Sequence, residues 1–270
     1  MNNRYTQPAC VALVTGAASG LGKGLADAYA ARGLQVIYAD INEAGVLEAA
    51  AAAGSLCEGV KLDVADASAC VALIDDIVAR KGRLDLLFNC AGYAVGGQAQ
   101  HITVEDWRGI VDVNLLGSVH CAMHAYKQMV RQGGGQIATI ASLAGLLPTP
   151  MSIPYATTKA GLVNFSHTLR CEGAGLGVQV SVICPSFIET GIFDNARYRG
   201  VDKAGLRSLI PLPFLTVEQA VRKMLAGVDA NKATVVFPLH AHLMWWGHRL
   251  LPVIPNFVHR AMMKKIRQAD

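Results

Sequence analysis

Thr15-Gly16-Ala17-Ala18-Ser19-Gly20-Leu21-Gly22 sits between a short apolar run, Val11–Val14, and a helical pattern, Leu21–Arg32. A strand that passes through three glycines straight into a helix is the entry to a βαβ unit. Glycine lets the backbone turn tightly there, and lets a pyrophosphate approach the N–H groups at the helix start. The spacing G-x-x-x-G-x-G departs from the common G-x-G-x-x-G fingerprint. It is not a P-loop either, because Gly24 follows Lys23 where Ser or Thr is needed. A tight turn with no ligand needs the same glycines, so the octapeptide must be read with its surroundings.

Outward from this turn, short apolar runs alternate with longer helical patterns. The runs are Val11–Val14, Gln35–Ala39, Val60–Leu62, Leu84–Phe88, Gln136–Ile140, Gln179–Ile183 and Thr234–Phe237. Between them lie Leu21–Arg32, Glu43–Ala53, Ala67–Lys81, Val104–Arg131 and Tyr155–Gly173. The runs do not alternate polar with apolar, as expected of strands covered by helices on both faces. The pattern predicts an α/β fold, a doubly wound seven-stranded parallel sheet of Rossmann type. Phe187–Leu215 reads as a long loop with short helices. Residues 1–238 read as one dinucleotide-binding and catalytic domain, and 239–270 as its apolar and basic C-terminal extension.

Asp40 ends the second run, eighteen positions after Gly22. A carboxylate at that place can accept from both hydroxyls of an adenosine ribose, and it repels a 2′-phosphate. No Arg or Lys adjoins it in sequence, so NAD is favoured over NADP. An N-cap for the next helix needs the same residue, and the two roles are compatible.

Further along stand Asn89-Cys90-Ala91-Gly92, Asn114, Ser142, Tyr155-Ala156-Thr157-Thr158-Lys159 and Pro185-Ser186-Phe187-Ile188-Glu189-Thr190. Together with Thr15–Gly22, in this order and spacing, they resemble the short-chain dehydrogenase/reductase family from residue 8 to residue 237. The resemblance implies catalysis by Asn114, Ser142, Tyr155 and Lys159, with Asn114 in a water-linked proton relay and Lys159 also on the nicotinamide ribose. It implies cofactor contacts from Gly16, Ser19, Gly20, Leu21 and Gly22 in the turn, and from Asp40. Asp63 and Val64 resemble the adenine contacts, and Asn89, Ala91 and Gly92 the turn beside the adenine ribose. Pro185, Ile188 and Thr190 resemble the nicotinamide end of the site. Two positions depart from the family pattern: Cys90 stands for a second Asn, and Ser186 for Gly.

The chemistry has its own logic. Tyr155 and Lys159, four apart, share a helix face. An ammonium beside a phenol favours phenolate and lowers a pKa that is ordinarily about 10. Such a tyrosine exchanges protons with an alcohol or carbonyl near neutral pH. Ser142 follows the strand Gln136–Ile140, which puts its hydroxyl at the sheet edge where α/β ligands bind. There it can hold the substrate oxygen. Each residue alone has an ordinary structural use: packing, a solvated charge, a cap. The reading is hydride transfer between NAD and a secondary alcohol or ketone. An NADPH-dependent carbonyl reductase and a non-catalytic dinucleotide-sensing protein are the alternatives. Apolar residues in 187–215 suit a lipophilic substrate, and equally suit helix packing.

Composition sets the remaining bounds. Of 270 residues, 52% are hydrophobic and 16% charged, which supports a large core. A net charge of +4 without a long basic run gives no footprint for nucleic acid. Seven scattered cysteines with no C-x-x-C pair indicate neither disulfides nor zinc, and point to a reducing, cytoplasmic setting. His120 and His124 have zinc-ligand spacing but no third ligand, so no metal is expected. The apolar run Ala9–Val14 is too short for the apolar region of a signal peptide and leads directly into the glycine turn. The uncharged stretch from Gln132 to Thr158 is broken by glycines and prolines, unlike a membrane span. The family resemblance implies a homodimer or homotetramer. The apolar residues and cations of Leu239–Arg267 suit weak peripheral membrane contact, a lid or a subunit interface.

Overall fold

In the computed structural model, residues 9–201 and 213–251 are described, together with Arg260, Met263 and Lys264. β1 (Val11–Thr15) is buried along its whole length. Its odd residues Val11 and Leu13 enter one apolar cluster and its even residues Ala12 and Val14 enter another. Side chains alternate across a strand, so a strand feeding two cores must be apolar at every position. That is why the run shows no polar alternation.

Seven such strands make one parallel sheet. They are β1, β2 (Gln35–Asp40), β3 (Cys57–Lys61), β4 (Leu86–Asn89), β6 (Gly135–Ile140), β7 (Val178–Pro185) and β9 (Thr234–Phe237), in the order β3-β2-β1-β4-β6-β7-β9. Both doubly wound character and strand number agree with the sequence reading. On one face pack α1 (Gly20–Ala30), α2 (Glu43–Ala53) and α7 (Val217–Asp229), through residues such as Leu25, Tyr29, Val46 and Met224. The other face holds α3 (Ala67–Lys81), α5 (Gly117–Arg131) and α6 (Ile153–Gly173), through Ile74, Ile77, Cys121, Met129 and Leu169. The strand order reverses between β1 and β4, which is where open α/β sheets bind ligands.

The structure departs from the sequence reading in three places. The helix expected over Val104–Arg131 is broken: α4 (Val104–Ile110) passes into a wide π turn, Val111–Leu116, before α5 begins. At its end the Ser118 hydroxyl donates to the Asn114 carbonyl at 3.1 Å, and such wide turns recur at functional sites. Next, β3 starts at Cys57 rather than Val60. It is the sheet's edge, only partly buried, and its polar Glu58 hides the run. Finally, the stretch read as loop and short helices contains a strand, β8 (Arg197–Arg199), paired in parallel with β5 (Val95–Gly97). Residues 202–212 of that stretch lie outside the described residues. α8 (Leu239–Leu250) begins the C-terminal extension, whose later part is outside them apart from Arg260, Met263 and Lys264.

Candidate active site

One cavity of about 700 Å³ opens at the C-terminal ends of the strands. At one end lies the glycine turn. Gly16 has φ +68°, and a Cβ there would come within 2.8 Å of the Ala91 backbone. A Cβ on Gly22 would come within 2.1 Å of the Gly16 carbonyl oxygen. Both glycines are therefore demanded by close backbone approach. Ser19, the N-cap of α1, makes no capping bond with its side chain, and the first turn of α1 holds no acidic residue. Among the described residues no side chain caps these N–H groups and no acid of the first turn offsets the dipole, as a pyrophosphate cradle requires. Ser19, Gly20 and Leu21 also line this end.

Asp40 closes the turn from β2. Its carboxylate accepts from the Ala18 N–H at 3.2 Å and from the Asn42 N–H at 3.0 Å, while lining the cavity. The N-cap of α2 is Asn42, whose side chain accepts from the Gly45 N–H, so Asp40 does not serve there. The sheet supplies a cation that the sequence neighbourhood hides: Lys61 is the register partner of Asp40 on β3. Its ammonium lies 3.6 Å from Glu43 Oε2. Asp63 and Val64 line the wall just beyond β3.

After β4, the Thr15 hydroxyl oxygen accepts from the N–H groups of Cys90 and Ala91, at 3.1 and 3.3 Å. Strand β1 thereby fixes the turn without using the side chain of residue 90, which explains how Cys90 fits there. Ala91, Gly92 and Cys90 line the cavity; Asn89 and Asn114 do not. Asn89 lies behind the wall and donates to the Ser118 carbonyl at 3.2 Å. Asn114 is fully buried in the π turn. Its amide oxygen accepts from the Tyr93 N–H at 3.0 Å and its amide nitrogen donates to the Tyr93 carbonyl at 2.8 Å. Asn114 thus clamps the segment after the turn with both ends of its side chain.

Ser142, Tyr155 and Lys159 share the far wall. The Ser142 hydroxyl caps a short 3₁₀ turn by accepting from the Ala144 N–H. Lys159 is 5% exposed, and its Nζ donates to the Ile140 carbonyl at 2.7 Å. Burial pushes its pKa down to about 8, against the opposing influence of Cys90 and Cys184. Its Nζ lies 5.5 Å from the centre of the Tyr155 ring. For Tyr155 itself, burial raises the phenol pKa, the Ser142 hydroxyl pulls it back down, and Cys184 adds a smaller upward push. The sequence reading assigned the lowering to the lysine. Here burial outweighs any lowering, and the Ser142 hydroxyl is the group that opposes it. Both flanking thiols are pushed up to about 12 by burial.

Pro185, Ile188 and Thr190 complete the wall. The stretch after β7 is closed at its base, since Leu215 N–H donates to Phe187 O and Glu189 N–H to Leu215 O. It is tied down further along by Arg199, which makes two bonds to the buried Asp106 at 2.7 and 2.8 Å. Phe187, Phe193 and Phe214 form a ring cluster with centroids 5.4–6.5 Å apart, and the first two face the cavity. Among the wall residues that the sequence does not assign to the site are Tyr93, Met151 and, from α8, Met244. Only Tyr93 had a signal, its place beside the Asn89–Gly92 motif. Ser186, noted as a departure, meets His240 of α8 through its hydroxyl at 3.1 Å.

Residues 10–199 match the family described as short chain dehydrogenase. The chain is 36% identical over 204 residues to a D-threitol dehydrogenase of Mycolicibacterium smegmatis, covering 74% of this chain and 78% of that one. It is 31% identical over 227 residues to the 3-oxoacyl-(acyl-carrier-protein) reductase of Escherichia coli, covering 84% and 92%. Among solved structures, a short-chain dehydrogenase/reductase from Burkholderia phymatum in complex with NAD superposes with a TM-score of 0.81. It is 26% identical, and the match covers 89% of this chain and 92% of that one.

Proposed function

The chain belongs to the short-chain dehydrogenase/reductase family and acts on an alcohol or ketone with NAD(P); on that premise we propose that it is NAD-dependent, takes lipophilic secondary alcohols or ketones, and uses Tyr155 as general acid and base. The observation that carries this reading is a convergence: Ser142, Tyr155 and Lys159 line the same cavity as the glycine turn and Asp40. The chemistry supplied by a bound dinucleotide is acceptance or donation of a hydride at its nicotinamide ring. Tyr155 takes the proton from an alcohol oxygen or returns it to a ketone oxygen. Ser142 hydrogen-bonds that oxygen and the phenol. Lys159, anchored on Ile140, presents its charge to the nicotinamide ribose. Asn114 contributes by holding the turn beside the cofactor; its clamp on Tyr93 supports this positioning part more than a direct one.

Asp40 supports NAD, since its carboxylate faces the cavity where a 2′-phosphate would sit. Lys61 is the one observation favouring NADP, and its pairing with Glu43 weakens it. The phenylalanine cluster supports a lipophilic substrate. We also read α8 as part of the same domain, because Ala241 and Trp245 pack onto the core. The test is a comparison of NAD with NADP across secondary alcohols graded in apolar bulk. The expected result is a kcat/KM at least about tenfold higher with NAD, a difference of about 1.4 kcal/mol, and rising with substrate bulk. Equal use of NADP removes the part given to Asp40.

A further inference from the structure

Helix α8 has two unlike faces. Ala241 and Trp245, one turn apart, pack inward on a cluster that includes Leu143, Cys184 and Val236. On the opposite side Leu239, Leu243, Trp246 and Leu250 follow at spacings of four, three and four, so they form a single stripe. These side chains are 74%, 67%, 50% and 70% exposed. Isolated apolar residues are ordinary on a protein surface, but a continuous row of large ones marks a contact surface.

Charge indicates what covers the row. Between Asp229 and Asp270 the sequence has no Asp or Glu, yet it carries Lys232, Arg249, Arg260, Lys264, Lys265 and Arg267. A second copy meeting the first on this helix across a two-fold axis would offer no carboxylate from either α8 to pair with Arg249. A bilayer with anionic headgroups supplies the missing sign together with an apolar layer. An amphipathic helix lying in that plane buries its apolar face by roughly 5–10 Å while cations stay among the headgroups. Trp246, half exposed within the stripe, suits the headgroup level. No helix among the described residues is long and apolar enough to cross a membrane, and α8, with 12 residues, can only lie along one.

We propose that α8 docks this protein on anionic membrane surfaces, with the Leu239–Leu250 stripe in the acyl boundary. The docking does not depend on the catalytic reading. Full-length protein is centrifuged at low salt with vesicles of equal parts phosphatidylglycerol and phosphatidylcholine, and with phosphatidylcholine alone. Leu243→Glu with Leu250→Glu is run alongside, as is the milder Leu243→Ser with Leu250→Ser. The wild type is expected to sediment with the anionic vesicles, to leave them as salt is raised, and to ignore phosphatidylcholine. Both double variants are expected to stay in the supernatant with an unchanged Tm. A wild type that remains in the supernatant with anionic vesicles overturns the proposal. So does undiminished binding by the folded variants. Sedimentation velocity without vesicles provides the last arm, where wild type and variants are expected to show one assembly size. Dissociation of the wild-type assembly by the serine pair would assign the stripe to a second copy of the chain instead.

Discussion

Lys159 Nζ donates to the carbonyl oxygen of Ile140 at 2.7 Å, tying helix α6 to the end of strand β6. The bond accounts for how an almost completely buried ammonium is tolerated, though not without cost. Folding lowers its pKa from 10.5 to about 8. Between those two values the unfolded chain binds more protons than the folded one, so stability rises with pH across that window. Below it the full penalty applies, on the order of 3 kcal/mol.

Lys159→Met is therefore expected to abolish turnover and yet to raise stability at pH 7. The gain should be about 1–2 kcal/mol, because the Ile140 carbonyl loses its partner. Denaturant unfolding at pH 7 and at pH 10 checks this. The wild type should gain on the variant as pH rises, and a constant difference would contradict the assignment.

Tyr155→Phe keeps the ring and removes the proton carrier. Turnover should fall by about 10²–10⁴ or more, while cofactor binding, read by fluorescence titration, stays unchanged. A variant retaining a tenth of the turnover, with chemistry limiting, is incompatible with Tyr155 as the acid and base.

Ser142→Ala removes the one interaction that pulls the Tyr155 phenol down against burial. Alcohol oxidation needs the phenolate, so its rate rises with pH through the tyrosine pKa. In the alanine variant that limb should move to higher pH, besides the loss of rate at every pH. A pH profile of kcat/KM that falls without moving would separate Ser142 from the phenol.

Asp40→Ala loses the bonds to Ala18 and Asn42 as well as the contact offered to a ribose. The KM for NAD should rise by roughly tenfold and that for NADP should fall, since repulsion is removed. Lys61→Ala in the same background measures how much of any new NADP affinity comes from the neighbouring strand.

Phe193→Ala opens the ring cluster with Phe187 and Phe214. For bulky apolar alcohols kcat/KM should drop by about 10–100-fold, the worth of a buried aromatic contact of a few kcal/mol. A small alcohol such as propan-2-ol should lose much less. Equal losses for both would make the cluster structural rather than a substrate wall.

Apart from the edge strand β3, the strands of the large sheet were legible because they are buried on both faces and so are largely apolar. Val11–Thr15 and Thr234–Phe237 show this most clearly. The three-residue strands Val95–Gly97 and Arg197–Arg199 are too short to carry any period, and the second is polar besides. Within Val104–Arg131 the helical pattern continues through the π turn, because the residues at its ends keep helical dihedrals and no break in periodicity marks it. In the site, motif residues that neighbour one another along the chain were readable, but neighbours across the sheet were not. Lys61 beside Asp40 is the clearest case, and Cys184 beside Lys159 is another. The upward direction of the Tyr155 shift was hidden for a related reason, because burial is a property of the assembled wall.

The two thiols around Lys159 set the terms on which this protein can be labelled. A thiol with its pKa near 12 is almost wholly protonated at neutral pH, and the thiolate is what attacks an alkylating reagent. Cys90 and Cys184 are accordingly poor targets for electrophiles, even though Cys90 borders the cavity. Cys171, exposed near the far end of α6, is where a maleimide dye will attach first. A reporter there sits on the helix that carries Tyr155 and Lys159, yet about three turns beyond the lysine and four beyond the tyrosine. It would follow the protein onto vesicles or into complexes while leaving the cavity chemically intact.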